Sequence, residues 1–531
     1  MASCLALLLP LGLAAIATTT GTAPSSTSAA KLLTSMTAND PECVHGAQQD
    51  HVLHMLQLET GRISSKQTQI QLNTLAVDAI VPCIPAVILA LLGTAALFLV
   101  YKFVVDASPV PYTMALGVYS NFQDNFLFTL VLVRSQRLAD DFHANLFVSG
   151  CLVGAHKMGT ALGMLAVFLA LKVSPDFWRA TRAVYSTGAL LQISGAVAFA
   201  ACGFLGDTSL AGLVLARPLM GLGGGIQISL AFTQAAHLAG KNRALYNLRF
   251  FAAGCVGMGA GPFLSSLASA ISPPKPTGQD DFEGMLAFAA LAPWMQVSML
   301  LRSIPSLDNV AERKAPRGTS RAQAVVVCLC LAMLVLRNLC LSSLEVGIAQ
   351  LTQTHFGFGQ LAAGVLCALT VFVTLPVLLL YEKSERVRFW LSLGAMLWTG
   401  LAAGCLLLCE RFVVFYFGAL LFFPMMVLNS GLVMAKMQEY AMPDGSLLDR
   451  NTTTVLGLIM ADFFGRGFGA ISTRIDVTLG GQRVFALTQI TFVALSLLLH
   501  LVSDFTVASR SVDAKARHLQ APEIEPHTAI E

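Results

Sequence analysis

From about residue 79 to residue 505 the chain alternates long apolar runs with short polar loops. Each run is near the roughly 20 residues a helix needs to cross a bilayer. The runs are continuously apolar rather than alternating, which predicts helices and not barrel strands. Thirteen are expected: 79–104, 112–134, 144–171, 183–204, 209–236, 245–271, 285–303, 323–353, 358–380, 389–409, 412–435, 453–473 and 484–505. The first ends near Lys102 and Asp106 and runs into the helix-breaking SPVP. The other twelve fall into two sixes, separated by RSIPSLDNVAERKAPRGTS, the longest internal loop. The expected fold is an all-α membrane protein. It has an N-terminal six-helix bundle (112–303), a linker (304–322), a C-terminal six-helix bundle (323–505), one extra transmembrane helix (79–104) ahead of them and a tail (506–531).

Composition agrees with a bilayer setting. Of 531 residues 55% are hydrophobic and 12% charged, and a soluble domain carries about twice that charge fraction. The opening MASCLALLLPLGLAAI and the TTTGTA after it read as a secretory signal peptide over 1–22, without the usual positive start. A polar segment over 23–78 shows no clear periodicity and is expected to be disordered and non-cytosolic; its His45, His51 and His54 read as solvated.

Placement of Lys and Arg sets the orientation. With the start of the 112–134 helix on the cytosolic side, nineteen fall in cytosolic loops and the tail, and six in the opposite loops. The amino terminus then lies across the membrane, as a signal peptide would arrange. The sequon Asn451-Thr452-Thr453 falls on the cytosolic side and is expected to stay unused.

Glycines come next. ARPLMGLGGGIQISLAF places Arg217 ahead of Gly221, Gly223 and Gly225; GCVGMGAGP places Gly257 and Gly261 four apart, with Pro262 following. Small residues at that spacing let helix backbones approach closely. Close packing is the plain reading, and proline-weakened helices that rock against each other are the functional one.

RPLMGLGGG and GMGAGPF resemble the RxxxGxG and Gly-Pro motifs of the major facilitator superfamily, in the fourth and fifth helices of the first bundle. The DRxGR signature is replaced by KVSPDFWRATR. Over about 112–505, LCLSSLEVGIAQLTQTHFGFG and NSGLVMAKMQEYAMPDGSLLDRNTTTVLGLIMADFFGR are similar to the branch holding the SPX–MFS vacuolar phosphate transporters and MFSD8-like proteins. The SPX domain is lacking. That resemblance implies the major facilitator fold and transport of a small solute. Its basic pair after the GxG motif is replaced by Ile226 to Phe232, with Gln227 and Ser229 as the polar residues.

Ionisable residues at membrane depth are the candidate substrate or coupling groups, because each is costly unless paired or hydrated. Asp124 and Lys157 lie at similar depth on neighbouring helices, in reach of an ion pair, with His156 alongside. That pair is either a structural pin or a site, and Lys157 is a candidate to replace the lost basic pair. Arg337 and Asn338 lie midway along the 323–353 helix with Glu345 two turns further. Glu345 matches a position of the resembling family and is the proton-coupling candidate. Asp462 and Arg466 are four apart on one face, where an intrahelical salt bridge is the plain reading. Arg217 and Gln227 complete the set.

No CxxC, HExxH or GxxxxGK spacing and no long basic tract occurs. No metal, cofactor, nucleotide hydrolysis, enzyme activity or nucleic-acid partner is therefore expected. The expectation is a monomeric secondary transporter in the lipid bilayer, moving a small molecule or ion, such as phosphate or chloride, by alternating access with protons as coupling ion. An anion channel of the same fold and a non-transporting receptor or scaffold are the alternatives. DGSLL (444–448) resembles an acidic dileucine signal, favouring a vacuolar or lysosomal membrane over the plasma membrane.

Overall fold

The computed structural model describes residues 109–520 except 205–209, 239–242, 272–306, 308–320, 444, 445 and 447. The signal-peptide, polar-segment and extra-helix expectations (1–22, 23–78, 79–104), the 285–303 helix and nearly all of the linker lie outside these residues.

In the first half run α1 (Pro109–Thr129), the short α2 (Ser135–Asp141), α3 (Leu146–Val173), α4 (Arg182–Phe204), α5 (Leu210–Leu238) and α6 (Arg243–Ile271). In the second run α7 (Arg321–Thr354), α8 (Gln360–Phe372), α9 (Thr374–Lys383), α10 (Glu385–Trp390), α11 (Leu393–Leu406), α12 (Phe412–Glu439), α13 (Arg450–Met460), a π-helical turn (Ala461–Gly467) and α14 (Phe468–Gln520). Side-chain caps open several of them: Asn145 accepts from the Val148 N–H, Ser392 from Ala395 and Asp449 from Thr452. The run expected over 358–380 divides at Val373. Pro376 brings no N–H for the Phe372 carbonyl four residues back, so α8 ends there. The helix expected over 453–473 is likewise interrupted, by the π turn. α14 bends at Gly480 and Gly481, and Gly481 has φ +60°, where a side chain is strained.

Among the described residues seven helical segments are long and apolar enough to cross a membrane. α1 is not one of them, because the polar run SNFQDN occupies its middle. Large exposed apolar side chains such as Leu215, Trp398, Val413 and Phe505 form the outer surface expected of a protein in lipid.

α3 and α4 pack along α5, and α1 packs on α6 and α5; α7 packs on α14, and α11 on α12. The halves meet reciprocally. The second helix of the first half, α3, packs on the fifth of the second, formed by α13, the π turn and the start of α14; the fifth helix of the first half, α6, packs on α8, the second of the other. The glycines make the first-half contacts possible. A Cβ at Gly221 or Gly225 would run into the His156 or Thr160 carbonyl of α3, and one at Gly223 into the Gly188 carbonyl of α4. Gly257 meets the Phe122 carbonyl of α1 in the same way, and Gly261 meets Thr129. Pro218 and Pro262 lie inside α5 and α6.

The buried apolar side chains form two clusters, one toward each end of the bundle. α1 contributes Tyr112, Met114 and Leu116 to one, and its end with the turn that follows contributes Phe126 to Val133 to the other. α3 is divided between Val153 and Met164, α7 between Leu334 and Cys340, and α12 between Leu428 and Val433. The stretches skipped by both clusters hold Asp124, His156, Lys157, Arg337, Asn338, Ser430 and, past Ala461, Asp462 and Arg466. A polar layer thus lies between two apolar ones.

Candidate functional site

In that layer Asp124, fully buried, is held from three sides by α3. Lys157 Nζ donates to its Oδ2, His156 Nε2 lies 3.0 Å from Oδ1, and the Thr160 hydroxyl donates to Oδ1 over 3.3 Å. Thr160 lies one turn from both His156 and Lys157 on α3, at spacings of four and three, which brings the three side chains to one side of the helix. Lys157 Nζ also lies 4.0 Å from Asp462 Oδ2, and Asp462 Oδ1 lies 3.9 Å from Arg466 Nε. The result is a chain of alternating charge, Asp124–Lys157–Asp462–Arg466, that begins in one half and ends in the other.

Arg466 carries the link further. It donates from Nη1 to Asn125 Oδ1 in α1 (2.8 Å) and from Nε to Asn338 Oδ1 in α7 (3.2 Å). The Phe128 ring lies beneath both cations, 5.2 Å from Lys157 Nζ and 6.0 Å from the Arg466 guanidinium carbon. The π turn sets this geometry: its wider winding puts Ala461, Asp462 and Arg466 on the inner wall. Such turns often mark functional sites.

These groups border a cavity of about 30 Å³ between the halves, room for a water or two. Lys157, Asp462, Arg466, Asn121, Asn125 and Asn338 supply its polar wall; Ile228, Phe232, Phe251, Met258, Leu341 and Met434 are among the apolar residues of the rest. Asp124 lies behind Lys157. Of the residues expected from sequence, Lys157, Asp462 and Arg466 line the cavity; Arg217, Gln227, Arg337 and Glu345 do not. Asn121 and Asn125 escaped notice as single residues, although SNFQDN, a polar run inside a membrane helix, was the signal for them.

The other candidates occupy distinct places. Arg217 is fully buried and donates to three main-chain carbonyls, Leu127, Phe128 and Leu152, at 2.8–3.0 Å. It closes the end of α1 against α3 and α5, which is a positioning task. Arg217→Met is expected to cost about 2 kcal/mol or more, since carbonyls are left unsatisfied. Thermal unfolding in detergent should show that loss, with solute preference unchanged; a changed preference at unchanged stability would rule the positioning role out. Gln227 donates to the Tyr185 carbonyl (2.8 Å) and ties α5 to α4.

Arg337 donates to the Met426 carbonyl (2.9 Å) and to Ser430, joining α7 to α12. Glu345 is 1% exposed, and neither carboxylate oxygen has a hydrogen-bond partner among the described residues. Leu334, Asn338, Leu341 and Glu345 follow one another at helical spacing on a single face of α7. The first three line the cavity, so Glu345 lies one turn beyond it.

Polar ties hold the halves together on both sides of the layer. At the end with the basic loops, Lys172 lies 3.6 Å from Asp449 and donates to the Ser446 carbonyl. There too, Arg249 makes a two-point pair with Glu382 (3.0 and 3.3 Å), and His237 meets Asn451 at 2.6 Å. At the other end, Arg474 of α14 donates to Ser135 and Gln136 of α2 at 2.9 and 3.2 Å. Among the described residues no cluster of three or more His, Cys, Asp and Glu converges as a metal site would.

The sequence matches no family model and no curated protein. In structure the chain is similar to the human organic anion transporter MFSD10 (TETRAN), at 16% identity and TM-score 0.53 over 74% of this chain and 100% of that one. It is also similar to the proton:xylose symporter XylE bound to 6-bromo-6-deoxy-D-glucose, at 12% identity and TM-score 0.53 over 75% and 95%. A D-xylose–proton symporter structure matches at 12% identity and TM-score 0.51 over 73% and 97%. With two reciprocally packed halves of apolar helices around a polar layer, the chain has the fold of the major facilitator superfamily transporters.

Proposed function

We propose that this protein is a secondary transporter that moves a small solute bearing an anionic group across a membrane. The halves rock about the cavity between them, and protons are the coupling ion. The observation that supports this most directly is the cavity itself. It lies in a polar layer between two apolar ones, its wall is drawn from both halves, and two cations, Lys157 and Arg466, border it. A wall shared in this way comes apart when the halves separate at either end, which is what alternating access requires. A sealed, wholly apolar interior would instead have favoured a scaffold.

Coupling is assigned to Glu345. A buried carboxylate without partners is stable where it can take up a proton, and its face of α7 continues the cavity wall. The acidic dileucine pattern at 444–448 supports a vacuolar or lysosomal membrane. The structural neighbours, an organic anion transporter and proton–xylose symporters, are compatible with this reading.

The test is flux into proteoliposomes across phosphate, chloride, nitrate, amino acids and sugars, with and without an imposed proton gradient. One solute class should accumulate against its own gradient when the proton gradient is present. Silence for every class would remove the transporter reading. Glu345→Gln should keep solute exchange while losing the response to the proton gradient; an undiminished response would clear Glu345 of the role.

A further inference from the structure

The charges at the cavity balance one another, and that restricts what it admits. On the wall and directly behind it, Asp124 and Asp462 oppose Lys157 and Arg466. Asp124 and Lys157 satisfy each other directly, and Asp124 lies behind the wall.

Asp462 and Arg466 differ from that pair. They stand one turn apart on the π turn, 3.9 Å from each other, too far for a strong hydrogen bond. The Asp462 side chain is 13% exposed, against 1% for Lys157. A carboxylate and a guanidinium are therefore offered side by side, each with capacity left over.

A solute with a net charge would bring an uncompensated ion into this enclosed space, at the cost that opposes any unpaired buried charge. A bare anion drawn to Arg466 would also face the Asp462 carboxylate. A polyol meets a different difficulty. Asn121 donates to the Phe250 carbonyl, Asn125 donates to Asn121, and the Asn125 and Asn338 oxygens accept from Arg466. With the amides engaged, many of its hydroxyls would be left unpaired. Much of the remaining wall is apolar, with Phe232, Phe251 and Met258 among its side chains.

We infer that the cavity, which holds a water or two in this closed arrangement and widens as the halves part, takes a small zwitterion, with a carboxylate for Arg466, a cationic amine for Asp462 and an apolar side chain toward Phe232 and Phe251. This rests on the transporter reading above and makes its cargo specific. Both solute charges are then matched, and the sum over the site stays at zero.

The full-length protein is purified, and its thermal stabilisation is measured with neutral α-amino acids from alanine to phenylalanine. Each is paired with its N-acetyl derivative, which keeps only the carboxylate, and its methyl ester, which keeps only the amine. Flux of the best binder into proteoliposomes follows. At least one free amino acid should stabilise the protein, and both derivatives should bind about tenfold or more weakly, as loss of a charged hydrogen bond implies. Asp462→Asn should narrow the gap for the N-acetyl derivative, because the opposing carboxylate is gone, and leave the methyl ester weak.

Equal or tighter binding of the N-acetyl compound to the unmodified protein overturns the inference, as does no stabilisation by any amino acid. An Asp462→Asn protein that is folded but keeps the full discrimination overturns it too. The two readings fail separately. Accumulation of phosphate or an N-acetyl derivative alone sinks the zwitterion and keeps the transporter, whereas an amino acid that binds without crossing sinks the transporter and keeps the site.

Discussion

Lys157→Met should destabilise the protein by about 3–5 kcal/mol, the usual result of removing one partner from a buried ion pair. Solute flux should fall to background as well. Lys157 is 1% exposed and touches two carboxylates, Asp124 directly and Asp462 at 4.0 Å, so its loss strands a negative charge in each half. Methionine keeps most of the side-chain volume, which confines the change to charge. Asp124→Asn in the same chain should restore much of the stability, because the amide no longer needs a cation. The coupling between the two substitutions, read from unfolding in detergent, should be at least about 1 kcal/mol. Independent, additive losses would show that the pair is not a unit. Stability restored without flux would separate the pinning role of Lys157 from its role in the cavity.

The second large effect is expected from the glycine face of α5. Gly225→Leu should yield no folded protein, judged by a monodisperse peak after extraction. Gly225→Ala should cost about 1–3 kcal/mol or more, the range for overpacking a tight interior. The reason is backbone against backbone. The added Cβ falls on the Thr160 carbonyl of α3, and no side-chain rotation relieves that clash. Gly359→Ser is the control. A Cβ there meets nothing within 4 Å, and serine is a good N-cap at the start of α8, so stability should hold. A Gly225→Leu protein as stable as the parent would mean that α3 and α5 are not in contact at this depth.

The fold was legible to a large degree because its cause is local. A run of about 20 apolar residues has few alternatives to a membrane helix, and loop charge orders the runs. What escaped were features set by neighbours. The π turn at Ala461–Gly467 carries no composition signal of its own; its winding is visible only in the backbone. The division at Val373 was legible in principle from Pro376, yet the apolar run is continuous across it.

The site divides in the same way. Asp124 and Lys157 stood out because a lone ionisable residue in an apolar helix needs a partner, and their matching depth supplied one. Arg217 and Arg337 stood out for the same reason, but Arg217 spends its donors on main-chain carbonyls and Arg337 donates from Nη2 to a carbonyl and a hydroxyl, acceptors that sequence cannot rank. Asn121 and Asn125 are cheap enough to bury that each alone raised no question. Their place on the cavity depends on Arg466, 341 residues beyond Asn125.

The ties at both ends have a kinetic consequence. Arg249 is paired to Glu382 on one side of the polar layer and Arg474 is bonded to Ser135 and Gln136 on the other, so on the proposed transport cycle a solute reaches the cavity only after a tie on one side breaks, and arrival is timed by how often that happens. In stopped-flow mixing the observed rate should therefore stop rising with solute concentration and settle at the opening rate, whereas at an open docking surface it would keep rising in proportion to concentration, with a slope of roughly 10⁵–10⁷ M⁻¹s⁻¹. Removing the Glu382 carboxylate should raise that plateau while barely moving the affinity for whatever lies within.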